Sequence, residues 1–201
     1  MIICPNFKIV FIAVPKTGTR SIYRVLQDHY SGRRIQDHLQ IVPEQYKNFF
    51  TFIVKRNPYD RACSTYWAMC RRNPSFDQYG WLANFKLKDL ENTLENFLSV
   101  AKSRKNYKIN HSIQQYKFHN RNRIDQILRF ENLQEDFNKL PFIKTPVELP
   151  RINITVDIKS TPKKVRISRP HWKDIVDDKS IKLINEIYAK DFKLLGYEMI
   201  K

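Results

Sequence analysis

Runs of apolar residues mark the strands of this chain. Residues 7–14 (FKIVFIAV) and 49–55 (FFTFIVK) are short, rich in β-branched and aromatic residues, and almost uninterrupted by polar ones. Such runs are typical of parallel strands that are buried on both faces. Residues 126–130 (QILRF) predict a further short strand. The apolar N-terminal stretch, residues 1–14, is interpreted as belonging to the first strand.

Helical spacing of apolar positions follows the first two strands. Residues 19–30 predict a helix that has on one side Ile22, Val25, Leu26 and His29. After the second strand, Asn57 is suited to be an N-cap, with Pro58 at the first helical position. This second helix is expected to extend to about Cys70.

The remaining pattern predicts three more helices and fixes the fold class. They lie at residues 89–102, at residues 133–140, and around Ile181, Ile184, Tyr188 and Phe192, where Gly196 marks the end. Residues 141–170 contain many prolines and lysines and are expected to be irregular. Strands that alternate with helices indicate an α/β fold, in which one domain over residues 1–201 has a parallel sheet flanked by helices.

The composition indicates a folded, strongly basic protein. The 201 residues include 36 Lys and Arg against 20 Asp and Glu, a formal charge of +16 that is spread along the chain. Apolar residues make up 42% and aromatic residues 13%, which favours a folded domain over a disordered chain. The positive charge indicates polyanionic partners, such as nucleotides, acidic glycans, nucleic acid or anionic lipid.

Cysteine usage and the N-terminal residues bear on the cellular compartment. Cys4, Cys63 and Cys70 are not spaced as a metal site and are expected to be free thiols, which suits a reducing compartment. The apolar residues 1–14 are too few to span a bilayer, and Pro5 interrupts them. We therefore expect no membrane span and a cytoplasmic location.

The turn after the first strand, residues 15–21 (PKTGTRS), has the features of an anion loop. A strand that opens through small residues into a helix presents backbone N–H groups and the positive end of the helix dipole. Aligned on Gly18, the ATP-binding pattern GxxxxGK[ST] finds Thr19 in place of its lysine and Arg20 in place of the hydroxyl residue that binds magnesium. The lysine is instead Lys16. This anion loop therefore disfavours a standard kinase or ATPase.

A second motif, residues 56–66 (RNPYDRACSTY), follows the second strand. It places Arg56 at the end of that strand, where open α/β sheets bind ligands. Ser64 lies about two turns into the helix that follows. A guanidinium fork and a hydroxyl suit a phosphate that is distinct from the anion on the first loop.

With these two motifs, the chain resembles the sulfotransferases that use 3′-phosphoadenosine 5′-phosphosulfate (PAPS), most of all the branch that modifies carbohydrates. VPKTGTRSI, residues 14–22, is similar to the 5′-phosphosulfate loop of that family. VKRNPYDRACSTY, residues 54–66, is similar to its 3′-phosphate segment, written RNPxxRxxSxY. Weaker similarity continues through HSIQQ, ILRFENLQEDF, LPRIN and YAKDFKLLGYEM. Lys55 stands where relatives commonly have valine.

The resemblance implies a fold like that of the P-loop nucleotide hydrolases, a sulfotransferase activity, PAPS as co-substrate and no metal. The acceptor would be a hydroxyl or amine, on a glycan or another hydroxyl compound. The 5′ end of PAPS is assigned to Lys16, Thr17, Gly18, Thr19, Arg20 and Ser21, with the three hydroxyl side chains as donors, and the 3′-phosphate to Arg56 and Ser64. Lys16 would stabilise the charge that grows on the leaving phosphate.

A base should accept the proton of the acceptor. His38 is our candidate, because relatives similarly carry a histidine ahead of the second strand and an imidazole titrates near neutral pH. Asp37 either orients this histidine or is itself the base. His111 is the competing candidate, and the resemblance places it, with Gln115, near the acceptor.

Two other functions fit parts of the sequence. A small-molecule kinase would share the sheet and the loop, but it would need the lysine and the magnesium ligand that residues 15–21 lack at the expected positions. A non-enzymatic nucleic-acid binder would suit the charge of +16. No helix-turn-helix, zinc-finger or aromatic RNA-binding pattern is present in the sequence, so we expect no specific nucleic-acid partner.

Overall fold

The structure is a computed structural model that describes residues 1–36, 39–68, 93–103, 112–152 and 171–201. The strands of the described residues are β1 (Ile2–Cys4), β2 (Ile9–Ile12), β3 (Arg33–Arg34), β4 (Phe50–Lys55) and β5 (Gln126–Arg129). Their helices are α1 (Thr19–Tyr30), α2 (Pro58–Tyr66), α3 (Leu94–Ser103), α4 (Tyr116–His119), α5 (Leu133–Asn138) and α6 (Asp178–Leu195). None of these helices is long and apolar enough to cross a membrane.

The α/β class is confirmed, but the sheet is mixed rather than parallel. Its order is β3-β1-β2-β4-β5, in which β2, β4 and β5 are parallel and β1 is antiparallel to both of its neighbours. The difference arises at the N-terminus, where a 3₁₀ turn over Pro5–Phe7 and a left-handed Lys8 (φ 54°) reverse the chain. Residues 1–14 therefore form a hairpin of β1 and β2 instead of a single strand.

The first predicted helix has the observed bounds, Thr19–Tyr30. Its residues Ile22, Val25 and Leu26 are buried, whereas His29 is exposed. The cap of α2 is also as predicted, since the Asn57 side chain accepts a hydrogen bond from the Tyr59 N–H and Pro58 is the first helical residue.

Helix ends differ from the sequence prediction by a few residues. α2 ends at Tyr66, whereas Cys70 lies outside the described residues. The helix predicted at residues 89–102 is described from Leu94 onward, and that predicted at 133–140 ends at Asn138. α6 ends at Leu195 and is followed by Gly196, which adopts the left-handed conformation (φ 67°) that commonly terminates helices. Within residues 141–152 the structure has neither helix nor strand.

Three groups of buried side chains hold the functional loops in place. One face of the sheet packs on α1 and α5, through side chains that include Phe11, Phe52, Leu26 and Phe137. The opposite face buries Val10, Ile12, Ile53 and Phe118. A third group joins α2, α3 and α6 and includes Tyr59, Leu98, Ile184 and Phe192. The C-terminal ends of β2 and β4 thus lie side by side, and the chain leaves them into α1 and α2.

Candidate functional site

The anion loop leaves β2 and enters α1 through two residues with positive φ angles. These are Lys16 (φ 68°) and Gly18 (φ 81°), of which Gly18 is the residue before the first residue of α1. A Cβ atom on Gly18 would lie 2.6 Å from Cδ2 of Leu133, closer than real Cβ atoms approach other carbons. Position 18 therefore favours glycine for its backbone conformation, and a Cβ atom there would have to displace the end of the Leu133 side chain on α5.

The threonine hydroxyls of this loop bond within the loop itself. Thr17 Oγ1 donates to the carbonyl oxygen of Val14 at 2.8 Å, and Thr19 Oγ1 donates to the same oxygen at 3.0 Å. A hydroxyl has a single proton to donate, so in this arrangement both threonine hydroxyls are used within the loop, and their assignment as donors to the 5′ end of PAPS stays a prediction. At the start of α1 the Ser21 N–H donates to the Gly18 carbonyl oxygen at 3.0 Å, so the backbone N–H groups that precede it are the candidate donors to an anion.

Arg56 joins the second motif to the anion loop. Its Nη1 donates to the carbonyl oxygen of Lys16 at 2.6 Å, and its Nε donates to Oδ2 of Asp60 at 2.7 Å. Nη2 lies 2.7 Å from the same Asp60 oxygen. The guanidinium also stacks on the ring of Phe130, 3.8 Å from its centroid. With 5% exposure, Arg56 is a buried cation at the junction of both motifs.

Arg61, for which the sequence predicted no role, also supports the anion loop. It is 1% exposed, and its Nε donates to the carbonyl oxygen of Pro15 at 3.0 Å while Nη2 donates to that of Ile113 at 2.6 Å. The residue pattern of α2 gave no signal for this burial, which is possible because the side chain has hydrogen-bond partners. Arg61 therefore connects the anion loop to the segment that precedes α4.

Buried charge on α6 compensates Arg61. Asp191 is fully buried and accepts hydrogen bonds from the backbone N–H groups of Gln115 and Tyr116, both at 2.9 Å. Burial raises the pKa of Asp191, and the charge of Arg61 opposes this effect. Burial likewise lowers the pKa of Arg61, which the nearby Tyr188 and Asp191 counteract. Removal of either residue would leave the charge of the other buried without compensation.

Gln115 supports the backbone of the second motif. The side chain is fully buried. Its Oε1 accepts a hydrogen bond from the Arg56 N–H at 2.9 Å, and its Nε2 donates to the Arg56 carbonyl oxygen at 2.8 Å. Both amide atoms are thus used to fix the backbone of Arg56, and the assignment of Gln115 near the acceptor stays a prediction.

Ser64, Arg20 and Ser21 occupy positions that suit ligand contact. Ser64 is partly exposed on α2, one turn beyond Asp60 and therefore on the side of the helix that carries the Arg56 partner. Arg20 is exposed in the first turn of α1, and Ser21 lines a cleft next to the anion loop. The structure brings these residues and Arg56 to one end of the sheet.

This cleft has a volume of about 860 Å³ and extends from the start of α1 to residues 146–151. Its walls combine apolar side chains with polar and charged ones, and its lining includes Ser21, Phe130, Leu133, Gln134, Asn138, Val147, Glu148, Leu149 and Arg151. Gln134 donates to the Val147 carbonyl oxygen at 2.7 Å and accepts from the Leu149 N–H at 2.8 Å. Asn138 accepts from the Val147 N–H at 3.0 Å. The two amides thereby fix the wall opposite α1.

Three of the candidate residues lie outside the described part of the chain: Asp37, His38 and His111. Their assignments as base or acceptor contacts therefore stay predictions. Lys16 is partly exposed within the loop. In the described residues no group of three or more His, Cys, Asp or Glu side chains could hold a metal ion, and Cys4 and Cys63 are buried free thiols.

Comparison with known proteins gives one result that covers almost the entire chain. The family model of the sulfotransferase family matches residues 1–198. No curated protein and no solved structure matches the chain. The matched range includes the anion loop, the second motif and the C-terminal helix. The chain therefore belongs to the PAPS-dependent sulfotransferase family.

Proposed function

We propose that this sulfotransferase moves the sulfonate group of PAPS to a hydroxyl group of a carbohydrate acceptor. Transfer from PAPS follows from membership of the family. The carbohydrate acceptor goes beyond what family membership implies. It is supported by the resemblance of the two motifs to the carbohydrate-modifying branch and by the formal charge of +16, which suits an acidic polymer.

The observation that carries the site assignment is the contact of the second motif with the anion loop. Arg56 bonds to the carbonyl oxygen of Lys16, and Arg61 bonds to that of Pro15. The two candidate anion-binding segments are therefore directly bonded to each other, which supports their joint assignment to one ligand. A ligand that carries anionic groups at both ends of one ribose, as PAPS does, is suited to contact both segments together.

We assign the 5′ end of PAPS to the anion loop and the 3′-phosphate to Arg56 and Ser64. Backbone N–H groups at the start of α1, together with Lys16 and Arg20, would neutralise the phosphosulfate. A phosphate beside Arg56 would compete with Asp60 for the guanidinium. Because Arg56 is 5% exposed, that contact would be shielded from water and correspondingly strong.

The cleft of about 860 Å³ is our candidate for the adenosine part of the nucleotide. It begins at Ser21 beside the anion loop and reaches Phe130, whose ring contacts Arg56. Its combination of apolar walls and a few fixed polar groups is typical of small-molecule sites. Gln134 and Asn138 would support nucleotide binding indirectly, because their amides hold the wall at residues 147–149 in place.

The proposed reaction is an in-line displacement at sulfur. The acceptor oxygen forms a bond to sulfur, the bond from sulfur to the bridging phosphate oxygen breaks, and adenosine 3′,5′-bisphosphate leaves. Lys16 would stabilise the negative charge on the departing phosphate. His38 would take the proton from the acceptor hydroxyl, with Asp37 and His111 as alternative bases.

Two substitutions with matched controls test these roles. The assay follows radiolabelled sulfonate from PAPS to a panel of neutral and acidic polysaccharides. Lys16→Ala is expected to lower turnover about 10²–10³-fold, whereas the exposed Lys144→Ala is expected to have no effect. His38→Ala should lower turnover by ~10²–10⁴ without weakening nucleotide binding, and the exposed His29→Ala should be neutral. A Lys16→Ala enzyme with nearly full turnover would contradict the proposed role of Lys16.

A further inference from the structure

Both sequence neighbours of Arg56 are connected to the C-terminal segment, residues 195–200: Lys55 directly and Asn57 through Glu131. Lys55 Nζ donates to the carbonyl oxygen of Leu195 at 2.6 Å. On the other side, the Asn57 N–H donates to Oε1 of Glu131 at 2.7 Å, and Oε2 of the same carboxylate accepts from the Tyr197 hydroxyl at 3.0 Å. The turn that carries Arg56 is thus connected on both sides to the end of the chain.

A third connection joins the C-terminal segment to the first turn of α2. The Ile200 N–H donates to the Tyr59 hydroxyl at 2.8 Å, and the Tyr59 hydroxyl in turn donates to Asn185 Oδ1. Asn185 Nδ2 donates to the carbonyl oxygen of Ile200 at 2.8 Å. The left-handed Gly196 directs the chain from α6 into these contacts. The segment therefore lies across the start of α2 and is not a frayed end.

Charge complementarity supports the same contacts. The last carbonyl groups of a helix carry partial negative charge, and the Lys55 ammonium lies at those of α6. Lys55 and Arg129 also flank the Tyr197 ring, at 5.3 Å and 5.9 Å from its centroid. Burial and the charge of Glu131 raise the pKa of Tyr197, so its hydroxyl stays a donor at neutral pH.

We propose that Tyr197, through Glu131, is a positioning residue of the nucleotide site, and that the C-terminal segment fixes the place of Arg56 relative to the anion loop. Arg56 lies between the end of β4 and the start of α2, so a shift of this turn would move its guanidinium. Its 2.6 Å bond to Lys16 leaves little tolerance for such movement. The inference rests on the proposed 3′-phosphate role of Arg56.

The test compares Tyr197→Phe with the wild-type protein by calorimetry, using adenosine 3′,5′-bisphosphate and adenosine 5′-monophosphate. The substitution removes the bond to Glu131 and keeps the ring between the two cations. We expect the Kd of the bisphosphate to rise roughly three- to tenfold and that of the monophosphate to change less than about twofold. Tyr30→Phe is the matched control, because it removes a tyrosine hydroxyl that bonds to the Phe142 carbonyl oxygen away from this turn.

The selective loss distinguishes positioning from general destabilisation. Equal weakening of both nucleotides, or unchanged affinity for the bisphosphate, would overturn the inference. Lys55→Met provides an independent variant, because it removes the bond to Leu195 and should produce the same selective loss. If the wild-type protein itself fails to bind the bisphosphate better than the monophosphate, the proposed function fails first, and this outcome is visible before any variant is made.

Discussion

The guanidinium of Arg56 donates a hydrogen bond to the carbonyl oxygen of Lys16 across 2.6 Å. Lys16 has a φ of 68°, a conformation that residues other than glycine rarely adopt, and its backbone is held there by this bond. The second motif is therefore both a candidate phosphate site and the support of the anion loop. Complete loss of the Arg56 guanidinium, unlike a small shift of its turn, is therefore expected to disturb both ends of the nucleotide site.

Arg56→Lys is predicted to weaken binding of adenosine 3′,5′-bisphosphate by at least about tenfold. A lysine keeps the positive charge, but a single ammonium cannot reproduce the fork that contacts both Asp60 and Lys16. Titration calorimetry gives the Kd directly. Arg33→Lys, on the exposed edge strand β3, is the control and should bind as the wild type does. Unchanged affinity in Arg56→Lys would argue against Arg56 as a nucleotide contact.

Arg61→Met is predicted to lower the free energy of unfolding by about 3–5 kcal/mol. The substitution leaves Asp191 buried without its nearby cation and removes the bonds to the Pro15 and Ile113 carbonyl oxygens. Urea unfolding measures the effect. Arg123→Met breaks an exposed ion pair with Asp125 and should cost less than about 1 kcal/mol. Similar losses in both variants would contradict the structural role of Arg61.

Gly18→Ala is predicted to be more harmful than Gly196→Ala, although both positions have positive φ angles. The new methyl group at position 18 would meet Leu133 at 2.6 Å, whereas position 196 has no neighbour within 4 Å. We expect a loss of about 1–3 kcal/mol at position 18 against about 1 kcal/mol at position 196. Thermal unfolding checks the order.

The double variant Gly18→Ala/Leu133→Ala separates steric clash from backbone strain. Shortening Leu133 makes room for the methyl group, so the two substitutions should cost less together than the sum of their separate costs. Strict additivity of the two costs would show that the contact with Leu133 is not the cause.

Stability is predicted to fall between pH 6.5 and pH 4, partly because of His119. Burial and the charge of Lys55 lower the pKa of His119 to about 4. Its Nε2 is buried and has no hydrogen-bond partner among the described residues. In this pH range the unfolded chain binds a proton that the folded chain does not, so acidification favours unfolding.

His119→Gln should reduce this pH dependence. The measurement is the urea midpoint at pH 7.5 and at pH 5, where the variant is expected to lose less stability than the wild type on acidification. His29→Gln, an exposed site on α1, should behave as the wild type. If the wild type and His119→Gln lose the same stability on acidification, His119 does not contribute to the pH dependence.

Local chemistry made several elements predictable. α1 was predicted with its observed bounds because its apolar spacing and its start at Gly18 agree. The cap by Asn57 with Pro58 after it was predictable for the same reason. The hairpin at residues 1–14 was missed because the apolar residues on both sides of Pro5 and Asn6 were interpreted as one strand. Strand direction depended on that turn, so the sheet was predicted parallel and is mixed.

The candidate site was predictable as a place but not as a set of contacts. Two strand ends with basic loops indicated where Lys16 and Arg56 would meet. Long-range contacts decide which side chains face a ligand and which support the loop. A local sequence pattern does not contain these contacts. Gln115 thus proved to be a buried support of Arg56, and Arg61 proved to hold Pro15. Likewise, the motif gave no indication that the hydroxyls of Thr17 and Thr19 bond to the Val14 carbonyl oxygen.

Titration calorimetry of the purified wild-type protein with adenosine 3′,5′-bisphosphate tests the central claim most directly. Adenosine 5′-monophosphate and ATP with Mg²⁺ serve as comparison ligands. We predict one binding site per chain, an affinity for the bisphosphate at least about tenfold higher than for the monophosphate, and no requirement for Mg²⁺. Absence of binding heat with the bisphosphate, or tighter binding of ATP with Mg²⁺, would contradict a site built to hold both ends of PAPS.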